Sequence, residues 1–229
     1  MDELVTAHAG SLPGLSTSGW FSEQPAEFQA RMAKLGRWIG MKRGNVICSA
    51  GDEADAVFGL GDGLLDIAIP VSASREVVVH RAAPGFWTGE AALLPAARSP
   101  VSIHAASHGR LFRLSAAALQ RSLRHHPQDW LCFYRLAHGH VNAGLTRLAE
   151  VIALPSRVRF ARTLLRLSEA SSAVRMTQEE LGRMVGLSRS AFRRCFADLI
   201  DQGIVELQYG SIRIRDRRAL QREAARVED

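Results

Sequence analysis

Apolar residues change their period along this chain, and the changes divide it. Between Met41 and Leu114 they fall in short runs, Val46-Ile47-Cys48, Leu64-Leu65-Asp66-Ile67-Ala68-Ile69 and Val77-Val78-Val79. Gly44, Gly51-Asp52, Gly61-Asp62-Gly63, Pro84-Gly85 and His108-Gly109 punctuate them. Runs of this length between turn residues predict many short strands, and so an antiparallel barrel or jelly roll with room for a small ligand. Ahead of the roll, Pro25 to Ile39 places Phe28, Met32, Leu35, Trp38 and Ile39 on one face, which predicts a lead-in helix. Residues 1–20 are small, polar and Gly-rich and predict a poorly ordered arm.

From Ser115 onward the period is helical. Ser115 is placed to cap a helix from Ala116 to about Arg124, and His125-His126-Pro127 breaks it. A longer helix follows, in which Trp130, Phe133 or Tyr134, Ala137, Val141, Gly144 or Leu145, Leu148 and Ile152 alternate three- and four-residue steps. That spacing fits a coiled-coil seam, or a helix packed on its own sheet. Pro155-Ser156 forms a hinge. A further helix then buries Val158, Ala161, Leu164, Leu165 and Leu167.

The next stretch, Thr177 to Phe196, carries the most specific pattern. Thr177 with Glu180 is a capping box. Leu181, Met184 and Val185 form one apolar face, Gly182 admits a close neighbouring backbone, and Gly186 ends the helix. Ser188 caps a second helix whose buried face is Phe192, Cys195, Phe196 and Leu199, with Arg189, Ser190, Arg193 and Arg194 toward solvent. The helix dipole disfavours cations at its N-terminus, so three arginines there point to a polyanion. The pair reads as a helix-turn-helix, or else as a solvated helical hairpin. Ile204-Val205-Glu206-Leu207 and Ile212-Arg213-Ile214-Arg215 flank Tyr209-Gly210-Ser211 and predict a β-hairpin, making the whole a winged helix.

Charge agrees with this division. The net charge is +6, and residues from Leu154 onward hold 15 Arg against 10 acidic residues, a net +5. The first 153 residues carry 14 basic and 13 acidic side chains. A nearly neutral sensor joined to a basic nucleic-acid-binding domain has this asymmetry, as would a basic surface without a partner. No apolar run is long enough to span a bilayer and Met1 to Gly10 lacks signal-peptide character, so a cytoplasmic protein without membrane contact is expected. The cysteines Cys48, Cys132 and Cys195 are few and scattered, which argues for buried thiols and against a disulfide framework.

The order roll, long helix, hinge and winged helix resembles the cAMP receptor protein and fumarate-nitrate regulator (Crp/Fnr) family of bacterial transcription regulators. The marks are Gly44 through Gly51-Asp52, Gly89-Glu90-Ala91-Ala92-Leu93-Leu94 followed by Arg98-Ser99, and the helix-turn-helix spacing after Met176. The resemblance covers roughly residues 20–220. It implies an α+β chain: an antiparallel cyclic-nucleotide-binding-like β-roll in 1–124, a long dimerisation helix in 125–153 and a winged helix DNA-binding domain in 154–229. It also implies a homodimer on near-palindromic double-stranded DNA, with half-sites roughly 34 Å apart, and RNA polymerase as a further partner.

By the same resemblance Arg189, Ser190 and Arg194 occupy base-reading positions, and Thr177 and Ser188 occupy phosphate-contacting ones. The family commonly has Glu where Ser190 stands and Thr where Ala191 stands, so the preferred operator differs; Arg193 compensates toward a phosphate. Gly89, Glu90, Arg98 and Ser99 match the cassette that holds a cyclic nucleotide, in which Glu accepts a ribose hydroxyl and Arg neutralises the phosphate. Here Glu90 and Arg98 are eight residues apart, a shorter span than in cAMP binders, and Pro100 follows Ser99. The helix positions facing an adenine are Gly144 and Leu145, with Thr146 one place on. The effector is therefore unknown and not expected to be cAMP, and a Glu90–Arg98 structural ion pair is the other reading of these residues.

No cofactor or metal is expected. An iron-sulfur member would need an N-terminal cysteine cluster, and a haem ligand among His80, His104 and His108 has no distinguishing context. His138 and His140 face different ways on a helix. A regulator without catalysis is the expectation. The alternatives are a cupin-like metal enzyme with a basic accessory domain, for which the histidine and glutamate set is missing, and a regulator whose roll is purely structural.

Overall fold

The run Ala56-Val57-Phe58-Gly59-Leu60 lacks the alternation of a half-wet strand because both of its faces are buried. The computed structural model describes residues 12–169, 173–208 and 210–226 of the chain. Ala56, Phe58 and Leu60 enter one core with Leu65, Ile67, Ile103 and Leu111. Val57 enters another with Phe28, Trp87, Phe112, Leu114 and Phe133. The chain divides into two units, one through His140 and one from Val141.

In the first unit, one antiparallel sheet has the order β1 (Arg37–Met41), β8 (Gly109–Ser115), β3 (Ala56–Asp62), β6 (Trp87–Thr88). The other has the order β2 (Val46–Cys48), β7 (Ser102–Ala105), β4 (Leu65–Ser72), β5 (Arg75–Ala82). The inner faces enclose the first core and form the expected β-roll. Outside it lie α1 (Ala26–Leu35), α2 (Ala116–His125), capped by Ser115, and the start of α3 (Trp130–Ala153). Phe28 of α1 and Phe133 of α3 make the second core with Trp20 and Trp87: the Trp20 ring is 5.7 Å from Phe28 and from Phe133 and 5.6 Å from Trp87. Its indole N–H donates to the Cys132 carbonyl at 2.8 Å. Such ring pairs add about 0.5–1.5 kcal/mol each beyond area burial.

Two sequence expectations change here. The lead-in helix stops at Leu35; Gly36 is extended, and Trp38 and Ile39 leave the helical face to pair in β1 with Phe112 and Leu111 of β8. Sheet pairing satisfies their backbone groups, which a longer helix would have left outside the roll. Residues 1–11 lie outside the described part, but 12–19 do not form a loose arm. Leu12 and Leu15 are buried in the aromatic core.

The second unit contains the C-terminal part of α3, then α4 (Ser156–Leu167), β9 (Ala173–Val174), α5 (Gln178–Val185), α6 (Arg189–Asp201), β10 (Val205–Gln208), β11 (Ser211–Ile214) and α7 (Arg217–Ala225). Pro155 stands at the N-cap position of α4. β10 and β11 form the expected hairpin, each strand one residue from the expected limits, and β9 adds a third strand beside β11. Of the expected turn, Tyr209 lies outside the described residues and Gly210 has φ 68°. α7, which the sequence reading did not foresee, packs on α4 through buried Leu220 and Ala224.

Candidate nucleic-acid interface and roll cassette

The N-terminus of α5 is built by the reciprocal cap that its sequence spells. Thr177 Oγ1 accepts from the Glu180 amide at 3.2 Å, and the Glu180 carboxylate accepts from the Thr177 amide at 2.7 Å. The Thr177 hydroxyl itself donates to that carboxylate at 2.9 Å, so it reaches a phosphate only by leaving Glu180. Gly186 closes α5 in the left-handed region at φ 67°. Gly182 faces the Phe192 ring rather than a backbone, and a Cβ there would meet the ring at an ordinary 3.4 Å. The close backbone approach expected at Gly182 is therefore replaced by ring packing across the turn.

Ser188 caps α6, accepting from the Ala191 amide at 3.2 Å, and its oxygen lies 3.2 Å from that of Ser190. Phe192, Cys195, Phe196 and Leu199 are buried, with Phe192 and Phe196 stacked at 5.6 Å. Phe160 of α4 meets both rings edge-on. The opposite face of α6 presents Arg189, Ser190, Arg193 and Arg194, and the three arginines meet no carboxylate among the described residues. The six residues expected at DNA thus gather on the cap of α5 and the N-terminal turns of α6. A cationic, unneutralised helix N-terminus of this kind suits a duplex backbone and its base edges.

Sequence reasoning missed the residue that holds α6 from behind. Arg157, in the first turn of α4, donates to Asp198 of α6 at 3.1 Å and to the buried Glu223 of α7 at 2.5 Å. No local pattern announces it, because its partners stand 41 and 66 residues away. Glu150 of α3 is buried between Arg162 and Arg166 of the second half of α4, 3.4 and 2.9 Å away. Burial, together with the neighbouring Arg166 charge, pulls the Arg147 guanidinium below its usual range.

In the roll, the four cassette residues do not converge. Gly89 adopts φ 92°, and a Cβ there would lie 2.5 Å from the Ala56 carbonyl oxygen, so only glycine fits. Glu90 opens a short 3-10 helix, Glu90–Leu93, and its carboxylate accepts from Nδ1 of His140 on α3 at 2.7 Å. Burial pushes the Glu90 carboxyl up, but the hydrogen bond and charge of His140, with backbone amides, outweigh it and hold the group below the usual carboxylate range. Arg98 is exposed and donates to the Gly51 carbonyl at 2.6 Å. Ser99 is buried, and its hydroxyl donates to the Val101 carbonyl at 2.7 Å. The expected alternative of a Glu90–Arg98 ion pair is therefore replaced by two separate attachments, one to α3 and one to the Gly51 loop. Between them Ala96 is held at φ 53°, left-handed for a residue with a side chain.

Other candidate groups stay apart. His104 lies 3.0 Å from Glu76, which also accepts from the Ser102 hydroxyl. The carboxylate stands between hydroxyl and imidazole, so the histidine cannot act as base for that serine. His138 stacks on Tyr134 while His140 turns to Glu90. Among the described residues no three His, Cys, Asp or Glu side chains gather as a metal site, and no helix is long and apolar enough to cross a membrane. All three cysteines are free thiols, and burial pushes each of them up.

α3 resolves the seam. Phe133 and Leu136 are buried in the aromatic core, whereas Tyr134, Val141, Leu145, Leu148 and Ile152 are each more than half exposed. Those five, with His138, continue the alternating three- and four-residue steps along one helix face.

Two family models match the chain: a cyclic nucleotide-binding domain over residues 39–126 and a Crp-like helix-turn-helix domain over residues 158–223. A CRP-like cAMP-activated global transcriptional regulator of Mycobacterium tuberculosis is 24% identical over 233 residues, spanning 98% of this chain and 100% of that protein. The structure of FixK2 from Bradyrhizobium japonicum aligns with TM-score 0.73 at 16% identity, covering 84% of this chain and 99% of the other. A transcriptional regulator of the CRP/FNR family from Thermus thermophilus aligns with TM-score 0.70 at 21% identity, over 84% of this chain and 100% of that one.

Proposed function

The chain belongs to the Crp/Fnr family of transcription regulators, and on that premise we propose that it is a sequence-specific, homodimeric DNA-binding regulator whose roll answers to an effector other than cAMP. It carries no catalytic activity in this reading. One observation bears most of the weight: the capped α6 presents Arg189, Ser190, Arg193 and Arg194 from a face whose reverse side is locked in the core. Arg189, Ser190 and Arg194 read base edges, while Arg193, Ser188 and Thr177 hold phosphates. The exposed seam of α3 pairs with that of a second copy, and the two recognition helices then meet successive major grooves.

The reading against cAMP rests on the roll. Glu90 and Arg98, which would have to grip ribose and phosphate together, are attached elsewhere, to His140 and to the Gly51 carbonyl.

Selection of bound DNA from a random pool tests the regulator reading. The expected product is a near-palindrome with half-sites about one helical turn apart. Recovery of no enriched sequence overturns it. Leu148→Asp is expected to give monomers in sedimentation, and an intact dimer would move the interface off α3. Added cAMP is expected to leave the melting temperature unchanged, since only a ligand of the native state raises it.

A further inference from the structure

Glu90 is the one carboxylate of the cassette, and one of its oxygens already accepts a hydrogen bond from the chain itself. An ionised carboxylate only accepts, so Nδ1 of His140 carries the proton and donates at 2.7 Å. The pair is partly buried, with 26% of the Glu90 side chain and 30% of the His140 side chain exposed. The imidazole is also seated by an aromatic neighbour: the Phe86 ring lies 5.3 Å from it and 5.0 Å from His80 of β5. Glu90 stands on the short helix after β6, and His140 lies in the middle of α3, 50 residues on. No carboxylate or cation besides Glu90 contacts His140 among the described residues.

We propose that His140 is the resident ligand of the roll's cassette, an internal imidazole donor that occupies Glu90 and ties α3 to the Glu90–Leu93 turn. The proposal rests on the reading of the roll as an effector domain. It sets a chemical requirement on an effector that takes over the Glu90 oxygen now held by His140: the effector brings a hydrogen-bond donor that outcompetes the imidazole and displaces it. Effector arrival at the cassette then frees the turn of α3 around His140, while Phe133 and Leu136 keep the start of the helix in the aromatic core.

Chemical rescue in the full-length protein is the test. His140→Ala leaves an acceptor facing an imidazole-sized gap and is expected to lower the melting temperature by roughly 3–10 °C. Free imidazole is expected to recover most of that loss, to leave the wild type unchanged, and to do nothing for the Glu90→Leu/His140→Ala double variant, which lacks the acceptor. Absence of rescue, or equal rescue of the double variant, overturns the proposal. If His140→Ala does not fold, nitrogen NMR of the wild type decides: a proton held on Nδ1 of His140 is expected, and a ring protonated on Nε2 alone overturns the pairing. Operator binding is measured on the same wild-type sample. Failure there counts against the regulator reading and leaves the rescue result standing.

Discussion

The helix pair of the DNA-binding unit and the cassette of the roll both match their family's sequence marks, yet they are built by opposite rules. In α5 and α6 each mark has a local physical duty. Thr177 and Glu180 cap one another, Gly186 takes the left-handed turn, Ser188 caps α6, and Phe192, Cys195, Phe196 and Leu199 share a face by helical period. In the cassette the marks Glu90 and Arg98 acquire partners from distant segments, His140 and Gly51. A motif whose members satisfy each other keeps its geometry wherever the fold places it. A motif that needs an outside ligand is open to any donor the fold brings near.

Substitutions can break that contrast, and the largest effect belongs to the core beneath the helix pair. Phe196→Ala is expected to cost about 3–5 kcal/mol, read by denaturant unfolding, because the ring is stacked on Phe192 and crossed by Phe160. A loss of under about 1 kcal/mol would mean that the caps alone hold the pair. Arg194→Ala is expected to weaken operator binding by about 1–3 kcal/mol and relax preference at one base position, with an unchanged melting temperature. Wild-type affinity and selectivity in a titration would remove Arg194 from the base-reading set. Thr177→Ala removes one side of the capping box and is expected to cost about 1 kcal/mol of stability. Ala96→Gly sharpens the cassette side of the contrast. Relief of the left-handed alanine, offset by the extra freedom of glycine when unfolded, is expected to stabilise the protein by about 0.5–1 kcal/mol. Lower stability would show that the turn is unstrained.

Trp38 and Ile39 illustrate where pattern reading stopped. They continue the helical spacing of Phe28, Met32 and Leu35, but β8 offers them hydrogen-bonded partners in Phe112 and Leu111. Periodicity cannot weigh a partner strand about 70 residues away in sequence. The same holds for Leu12 and Leu15, whose small polar neighbours resemble an arm but whose side chains complete an aromatic core. α3 shows the converse: spacing left Phe133 or Tyr134 and Gly144 or Leu145 open, and packing chose Phe133 for the core and left Tyr134 and Leu145 exposed.

By itself the sequence determined the α+β order of roll, long helix and winged helix, the capped helix pair with its arginine face, and the neutral and basic division of the chain. These follow from contacts between residues a few positions apart and from composition, which a linear string records. Tertiary structure alone decided that Arg157 braces α6, that Arg98 turns to Gly51, and that the Glu90 carboxylate meets His140. Each of those pairs joins residues more than 40 positions apart, and a charged side chain takes the partner that folding brings within hydrogen-bond reach.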